Sequence, residues 1–254
     1  MPTALITGPT AGIGRAFADA LAAKGMDLVL VSRDANRLQQ VAAEIQASHG
    51  AHLHIEVLPA DLSDRSQIDR VTDRLRDTSR PVQVLVNNAG FGLVRGFTET
   101  GIDEEQQLLD VLVTAVMRLS HAAVPGMVQR GRGVIFNVSS VAGWITGSTY
   151  SAAKSWVTVF TEGLAQELAG SGVRAVAVCP GYVRTEFHDR ADMDVAEVPE
   201  WLWLDANDVV AQAMRDAQQS RVISVTGSQY KAMATILQHA PRPLVRLASR
   251  SRGR

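Results

Sequence analysis

Cysteine is nearly absent from this 254-residue chain: the single thiol, Cys179, excludes an intramolecular disulfide framework and any multi-cysteine metal centre. An excess of one charge is missing too. Lys and Arg number 25 against 26 Asp and Glu, a net −1, so no overall field draws the chain to nucleic acid or to an anionic membrane. No apolar run reaches the roughly eighteen residues that a membrane span requires. A basic, apolar, cleavable leader is not expected, because Pro2-Thr3 runs straight into Ala4-Leu5-Ile6. Internal repeats and low-complexity linkers are also lacking. What remains is 46% hydrophobic and 20% charged, too apolar for a disordered chain. These limits lead to the expectation of a cytoplasmic protein with one domain over residues 1–240, close to the upper size for one continuous core.

Two periods alternate along that domain. Short runs rich in Val, Ile and Leu recur at residues 4–6, 28–31, 53–58, 82–86, 134–136, 173–178 and 222–225. Several are apolar without alternation, as strands covered on both faces must be. Between them lie helical stripes: Ala16, Ala20 and Ala23; then Leu38, Val41, Ala42 and Ile45; then Ile68, Val71 and Leu75. Strands alternating with helices predict βαβ units, hence an α/β doubly wound parallel sheet with helices on both faces.

Two segments break the rhythm. Residues 181–205 are polar first, with Arg190, Asp192 and Asp194. They end on Trp201-Leu202-Trp203-Leu204, which predicts a surface flap whose apolar end folds back. Residues 241–254 carry Arg242, Arg246, Arg250, Arg252 and Arg254 and no acid, a basic tail expected to fray and a candidate for peripheral contact with a lipid surface.

Thr7-Gly8-Pro9-Thr10-Ala11-Gly12-Ile13-Gly14 follows the first strand and opens the first helix. Glycine there permits a tight turn and close approach of a diphosphate, and the helix N-terminus offers unpaired N–H groups. Gly8, Thr10, Gly12, Ile13, Gly14 and Arg15 are therefore candidate cofactor contacts. The second strand ends at Ser32-Arg33, where a fold selecting NAD would place a carboxylate for the ribose 2′-OH. Ser32, Arg33 and Arg15 instead suit a 2′-phosphate, which favours NADP(H). Asp34 reads best as the cap of the next helix.

Further motifs follow in order: Asp61-Leu62, Asn87-Asn88-Ala89-Gly90, Ser139-Ser140, Tyr150-Ser151-Ala152-Ala153-Lys154, and Pro180-Gly181 with Thr185. Over roughly residues 3–190 the chain resembles the short-chain dehydrogenases/reductases, in their NADP-preferring branch. The resemblance implies a single Rossmann-type domain of about seven strands and a nicotinamide cofactor. It implies Asp61 and Leu62 at the adenine, with Asn88, Ala89 and Gly90 along the ribose and cofactor channel. Pro180, Gly181, Val183 and Thr185 would complete the cofactor contacts, Thr185 on the nicotinamide side. A homodimer or homotetramer is implied as well.

Reduction of a carbonyl requires a proton donor, and the reverse reaction requires a base. Tyr150 and Lys154 are four apart and share one helix face. An ammonium there is expected to lower the phenol from its reference pKa of about 10, and Lys154 would also reach the nicotinamide ribose. Ser140 would bond the substrate oxygen, although the short path from Ser140 to Tyr150 leaves Ser139 as the rival. Trp144 and Phe187, with Phe91, are candidate substrate walls or plain core. The substrate expected is a small apolar ketone, aldehyde or alcohol. One departure stands out: the family's usual helix asparagine, which supports a water-linked proton route, is Leu112 here. It motivates an alternative, an NADP-binding sensor with weak or no turnover. His52 and His54 lack a third ligand, so no metal is expected. His188 remains open between substrate contact and solvent. Cys179 suits a buried strand end, and Asp103-Glu104-Glu105 suits a helix start.

Overall fold

The computed structural model of the chain describes residues 1–93 and 95–250. Seven strands are present: β1 (Thr3–Thr7), β2 (Asp27–Ser32), β3 (Ile55–Pro59), β4 (Val82–Asn87), β5 (Gly133–Val138), β6 (Val173–Val178) and β7 (Ile223–Ser224). They form one parallel sheet in the order β3-β2-β1-β4-β5-β6-β7. Around it lie α1 (Gly12–Ala22), α2 (Ala35–His49), α3 (Arg65–Arg76), α4 (Ile102–Leu109), α5 (Ala115–Gln129) and α6 (Thr149–Glu167). After the sheet's sixth strand come α7 (Phe187–Arg190), α8 (Ala206–Gln218), α9 (Ser228–His239) and α10 (Arg242–Arg250). This is the doubly wound α/β sheet that the two periods predict.

Side-chain alternation along the strands distributes the core between two faces. Ala4, Ile6, Leu28, Leu30, Val86 and Phe136 point one way, onto Phe17 and Leu21 of α1, Leu38 and Ile45 of α2, and Val209 and Val210 of α8. Leu5, Val29, Val31, Leu85 and Ile135 point the other way, onto Ile68 and Val71 of α3 and Leu119 and Met127 of α5. Strand order reverses between β1 and β4, whose following helices leave to opposite faces, so a crevice opens at the carboxyl ends of these two strands. Helix starts follow the expected cap chemistry. The carboxylate of Asp34 accepts from the Arg37 N–H at 3.0 Å, and Asp64, Ser148 and Asp205 cap α3, α6 and α8 in the same way.

The structure corrects some details. On α1 the buried face is Ala16, Phe17, Ala18, Leu21 and Ala22; of the expected stripe Ala16 is buried, Ala20 is half-buried and Ala23 is exposed. In so alanine-rich a helix the two bulky side chains decide which face is buried. The third strand begins at Ile55, with Leu53 buried in the preceding turn. The stretch Ile102–Gln129 is, by length and composition, apolar enough to cross a membrane, but its apolar face packs on the sheet and α3 as a core helix. The basic tail forms α10 as far as Arg250, and Arg252 and Arg254 lie outside the described residues. Phe17 is fully buried with its ring 5.1 Å from that of Phe136. Phe17→Ala is expected to cost about 3–5 kcal/mol of unfolding free energy, read by urea denaturation.

Candidate active site

The crevice floor is laid by hydrogen bonds between the ends of β1 and β4. The Thr7 Oγ1 donates to the Val86 carbonyl at 3.3 Å and accepts from the N–H groups of Asn88 and Ala89 at 2.9 and 3.0 Å. The Asn88 Nδ2 donates to the carbonyls of Thr7 and Gly8, both at 3.0 Å. Asn88 therefore holds the glycine turn in shape. A Cβ on Gly14 would lie 2.1 Å from the Gly8 oxygen, so only glycine lets the turn close. Gly12 has φ +55° and abuts Thr185, whose Cγ2 would sit 2.7 Å from an added Cβ. Ala11 precedes α1 and gives it no side-chain cap, which leaves the first-turn N–H groups for a ligand anion. Thr10 and Ile13 stand partly exposed in the same turn.

At the end of β2 the Ser32 Oγ is buried and has no hydrogen-bond partner among the described residues. Arg33 is exposed and forms no ion pair among the described residues. Arg15 departs from expectation. It pairs with Asp19 at 2.8 Å along its own helix and with Glu44 of α2 at 2.6 Å, so its charge is already satisfied away from Arg33. The next guanidinium along the chain after Arg33 is that of Arg37, which reaches Glu186 of the flap at 2.6 Å. Arg37 and then the neighbouring Arg190 hold the Glu186 carboxyl below the usual carboxylate range. Asp61 orders the turn before α3 by accepting from the Ser63 N–H and hydroxyl at 2.9 and 2.7 Å, and Leu62 beside it is buried.

Ser140, Tyr150 and Lys154 meet at the other end of the crevice. The Ser140 hydroxyl donates to the Pro180 carbonyl at 3.4 Å, accepts from the Ala142 N–H at 3.1 Å, and is near enough to the Tyr150 phenol to oppose its upward shift. The Lys154 ammonium lies 5.6 Å from the Tyr150 ring centroid and donates to the Val138 carbonyl at 2.7 Å. The hydroxyl of Ser139, just past the end of β5, is buried on Thr158 at 2.7 Å and the Lys154 carbonyl at 2.6 Å. One expectation fails. Burial pushes the Tyr150 phenol up to about 12, against a smaller lowering by Ser140. Desolvation likewise brings Lys154 down to about 8, so burial outweighs the ammonium's attraction for the phenolate. Cys179 is buried, which raises its thiol to about 12 and leaves it inert.

Leu112 sits in a π-helical turn, Asp110–Thr114, between α4 and α5. It is 1% exposed, and its Cδ2 would be 2.7 Å from a Cβ on Gly90. With Leu108, Ala153, Phe91, Leu93, Leu109 and Val113 it forms an apolar cluster that also contacts Tyr150. Trp144 packs on the main core cluster instead.

The flap is tied at its root. Val183 bridges Leu204, the Leu204 N–H donates to the Tyr182 carbonyl at 2.8 Å, and the Arg184 N–H donates to the Leu204 carbonyl at 3.0 Å. Tyr230 of α9 fastens both stems, accepting from the Tyr182 N–H at 3.0 Å and donating to the Leu202 carbonyl at 2.7 Å. Its ring lies flat on Gly181, where a Cβ would come within 1.9 Å of Cζ. Pro180 accepts from the Val141 N–H at 3.0 Å. Within the flap the Thr185 Oγ1 accepts from the Phe187 N–H at 3.2 Å, and the Phe187 ring stands 5.9 Å from that of Tyr150. His188 is buried among the rings of Tyr182, Phe187 and Trp203, all within 5.6 Å. Sequence reasoning missed Tyr230, Arg37 and Glu186, whose partners lie 28 to 149 residues away.

A glycine turn at a strand-order reversal, opposite a serine, tyrosine and lysine on one wall, defines a nucleotide-dependent oxidoreductase. The chain belongs to the short-chain dehydrogenase family, whose model matches residues 2–195. Among its relatives, ketoacyl reductase HetN of a Nostoc species is 35% identical over 184 residues, covering 71% of this chain and 63% of that protein. A Sphingobium yanoikuyae short-chain dehydrogenase, solved with NADPH, is 33% identical with a TM-score of 0.84 and 94% coverage of both chains. A Burkholderia phymatum family member, solved with NAD, is 26% identical with a TM-score of 0.80, over 94% of this chain and 96% of that one.

Loss of the hydroxyl in Tyr230→Phe removes both flap bonds and is expected to lower unfolding free energy by about 1–3 kcal/mol in urea titrations. The buried lysine sets a pH dependence. Folded Lys154 titrates near 8 and its ordinary value is 10.5, so between these pH values the unfolded chain holds more protons and stability rises with pH. Tyr150 acts higher and in the opposite sense, since stability falls as pH climbs from its ordinary 10.0 toward about 12. Urea unfolding of the cofactor-free protein at successive pH values should show that first rise, and Lys154→Met should flatten it.

Proposed function

We propose that this family member is an NADP(H)-dependent oxidoreductase interconverting a carbonyl and an alcohol, with Tyr150 as acid and base. The observation that carries the reading is the placing of the Lys154 ammonium 5.6 Å from the Tyr150 ring centroid, anchored on the Val138 carbonyl, with Ser140 on the same wall. When bound, NADP(H) supplies or accepts the hydride. The chain's own groups manage the proton. Burial keeps the Tyr150 hydroxyl protonated at neutral pH, ready to protonate a carbonyl oxygen that Ser140 orients. Lys154 then stabilises the phenolate left behind, and in the reverse direction that phenolate takes the alcohol proton.

Several observations support the phosphorylated cofactor. Among the described residues Ser32 holds an unpartnered hydroxyl and Arg33 has no ion pair, and the nearest acid, Asp34, is occupied as a helix cap. The uncapped α1 start and the missing Cβ at Gly14 fit a diphosphate. The Sphingobium relative was solved with NADPH, and the Burkholderia one with NAD. An apolar carbonyl substrate is supported by Phe187, Phe91, Leu93, Leu109 and Val113 around Tyr150, and by the Nostoc relative's description as a ketoacyl reductase. A homodimer or homotetramer is part of the proposal, with exposed Met117, Val128 and Val159 offering apolar surface on α5 and α6.

Leu112 favours a second reading, an NADP-binding sensor with little turnover, because its apolar side chain cannot bond a relay water. NADPH oxidation over a panel of ketones and aldehydes separates the two. Tyr150→Phe is expected to lower kcat at least about a hundredfold while NADPH affinity stays within about threefold. Turnover unchanged by the substitution overturns the assignment of Tyr150.

A further inference from the structure

Two charged residues 149 positions apart meet beside the crevice: the Arg37 Nη2 lies 2.6 Å from the Glu186 Oε1. Arg37 stands in the first turn of α2, directly after Ser32, Arg33 and the capping Asp34. Glu186 stands in the flap between Thr185, which touches the glycine turn at Gly12, and Phe187, which faces Tyr150. The pair therefore joins the strand end proposed to select the cofactor to the wall proposed to hold the substrate. Both side chains are partly open to water, 36% and 47% exposed, so the contact is weakly held and readily exchanged.

The local charge balance says what Arg37 exchanges for. Among the described residues Arg33 is unpaired and the Ser32 hydroxyl is buried without a partner, whereas Arg15, the other nearby guanidinium, is taken by Asp19 and Glu44. One guanidinium and one hydroxyl leave a dianionic phosphate short of donors, and Arg37 is the next cation along the chain. Its present partner is a single carboxylate that also pairs with Arg190 on the flap's own helical turn. That carboxylate keeps a cation if Arg37 departs. A phosphate offers more charge and a bidentate match to the guanidinium.

We infer that Arg37 is a cofactor-selecting residue held in reserve by Glu186, passing from that carboxylate to the 2′-phosphate of NADP(H) and so releasing the flap from α2. The inference rests on the NADP reading above and goes beyond it. NADP(H) and NAD(H) then differ in affinity and also in how firmly the substrate flap is tethered.

The test is fluorescence titration of the full chain with NADPH and NADH, in wild type, Arg37→Gln, Glu186→Gln and the double variant. Glu186→Gln frees the guanidinium and is expected to tighten NADPH about fivefold while NADH stays within about twofold. Arg37→Gln is expected to weaken NADPH about tenfold, again sparing NADH, and the double variant should behave as Arg37→Gln alone. A purely structural ion pair would move both nucleotides together, and that result overturns the inference. So does an unchanged NADPH-to-NADH ratio in a wild type that prefers NADPH. A wild type that prefers NADH overturns the NADP reading and this inference together.

Discussion

The site depends on how the carboxyl ends of β1 and β4 are pinned to each other. A parallel sheet whose order reverses must leave a gap there, because the helices that follow the two strands depart to opposite faces. Thr7 and Asn88 span the gap, so the glycine turn is fixed by side chains from both strands. A hydroxyl that donates once and accepts twice uses its whole bonding capacity on this one junction, and the amide uses both of its donors. With that floor fixed, the open start of α1 and the wall carrying Ser140 acquire definite positions relative to each other.

On that wall, burial and charge act against one another. A lysine four residues from a tyrosine suggests a phenol made acidic, yet burial shifts both groups toward their neutral forms. The proposed chemistry is consistent with this, since a protonated phenol is the form that reduction requires. Leu112 contributes to the same dryness. Where the family usually places an amide, this chain packs a leucine on Gly90, inside a π-turn. Its side chain can neither donate nor accept a hydrogen bond.

Much of this was legible in the sequence. The seven strands follow from runs such as Leu28–Val31, whose apolar residues on both faces leave no other stable placement. The Asp34 cap follows from its place directly before a helical stripe. Ser139, just past the end of β5, is taken up by Thr158 and the Lys154 carbonyl, which leaves Ser140 beside Tyr150, a choice that sequence spacing alone left open. The misreadings share a cause. The stripe on α1 was ambiguous because alanine marks no face, and Arg15 was assigned by proximity in sequence although Asp19 one turn on competes for it. Arg37, Glu186 and Tyr230 act through tertiary contacts that no local pattern announces.

The family match ends at residue 195, yet the tyrosine that fastens the flap lies on α9, and the second flap stem, Leu202 to Leu204, also falls beyond that limit. The glycine turn and the wall of Ser140, Tyr150 and Lys154 thus lie inside the matched region, whereas one anchor of the flap lies outside it. Substitutions after residue 195 can therefore loosen or tighten that anchor without altering any residue of the turn or the wall.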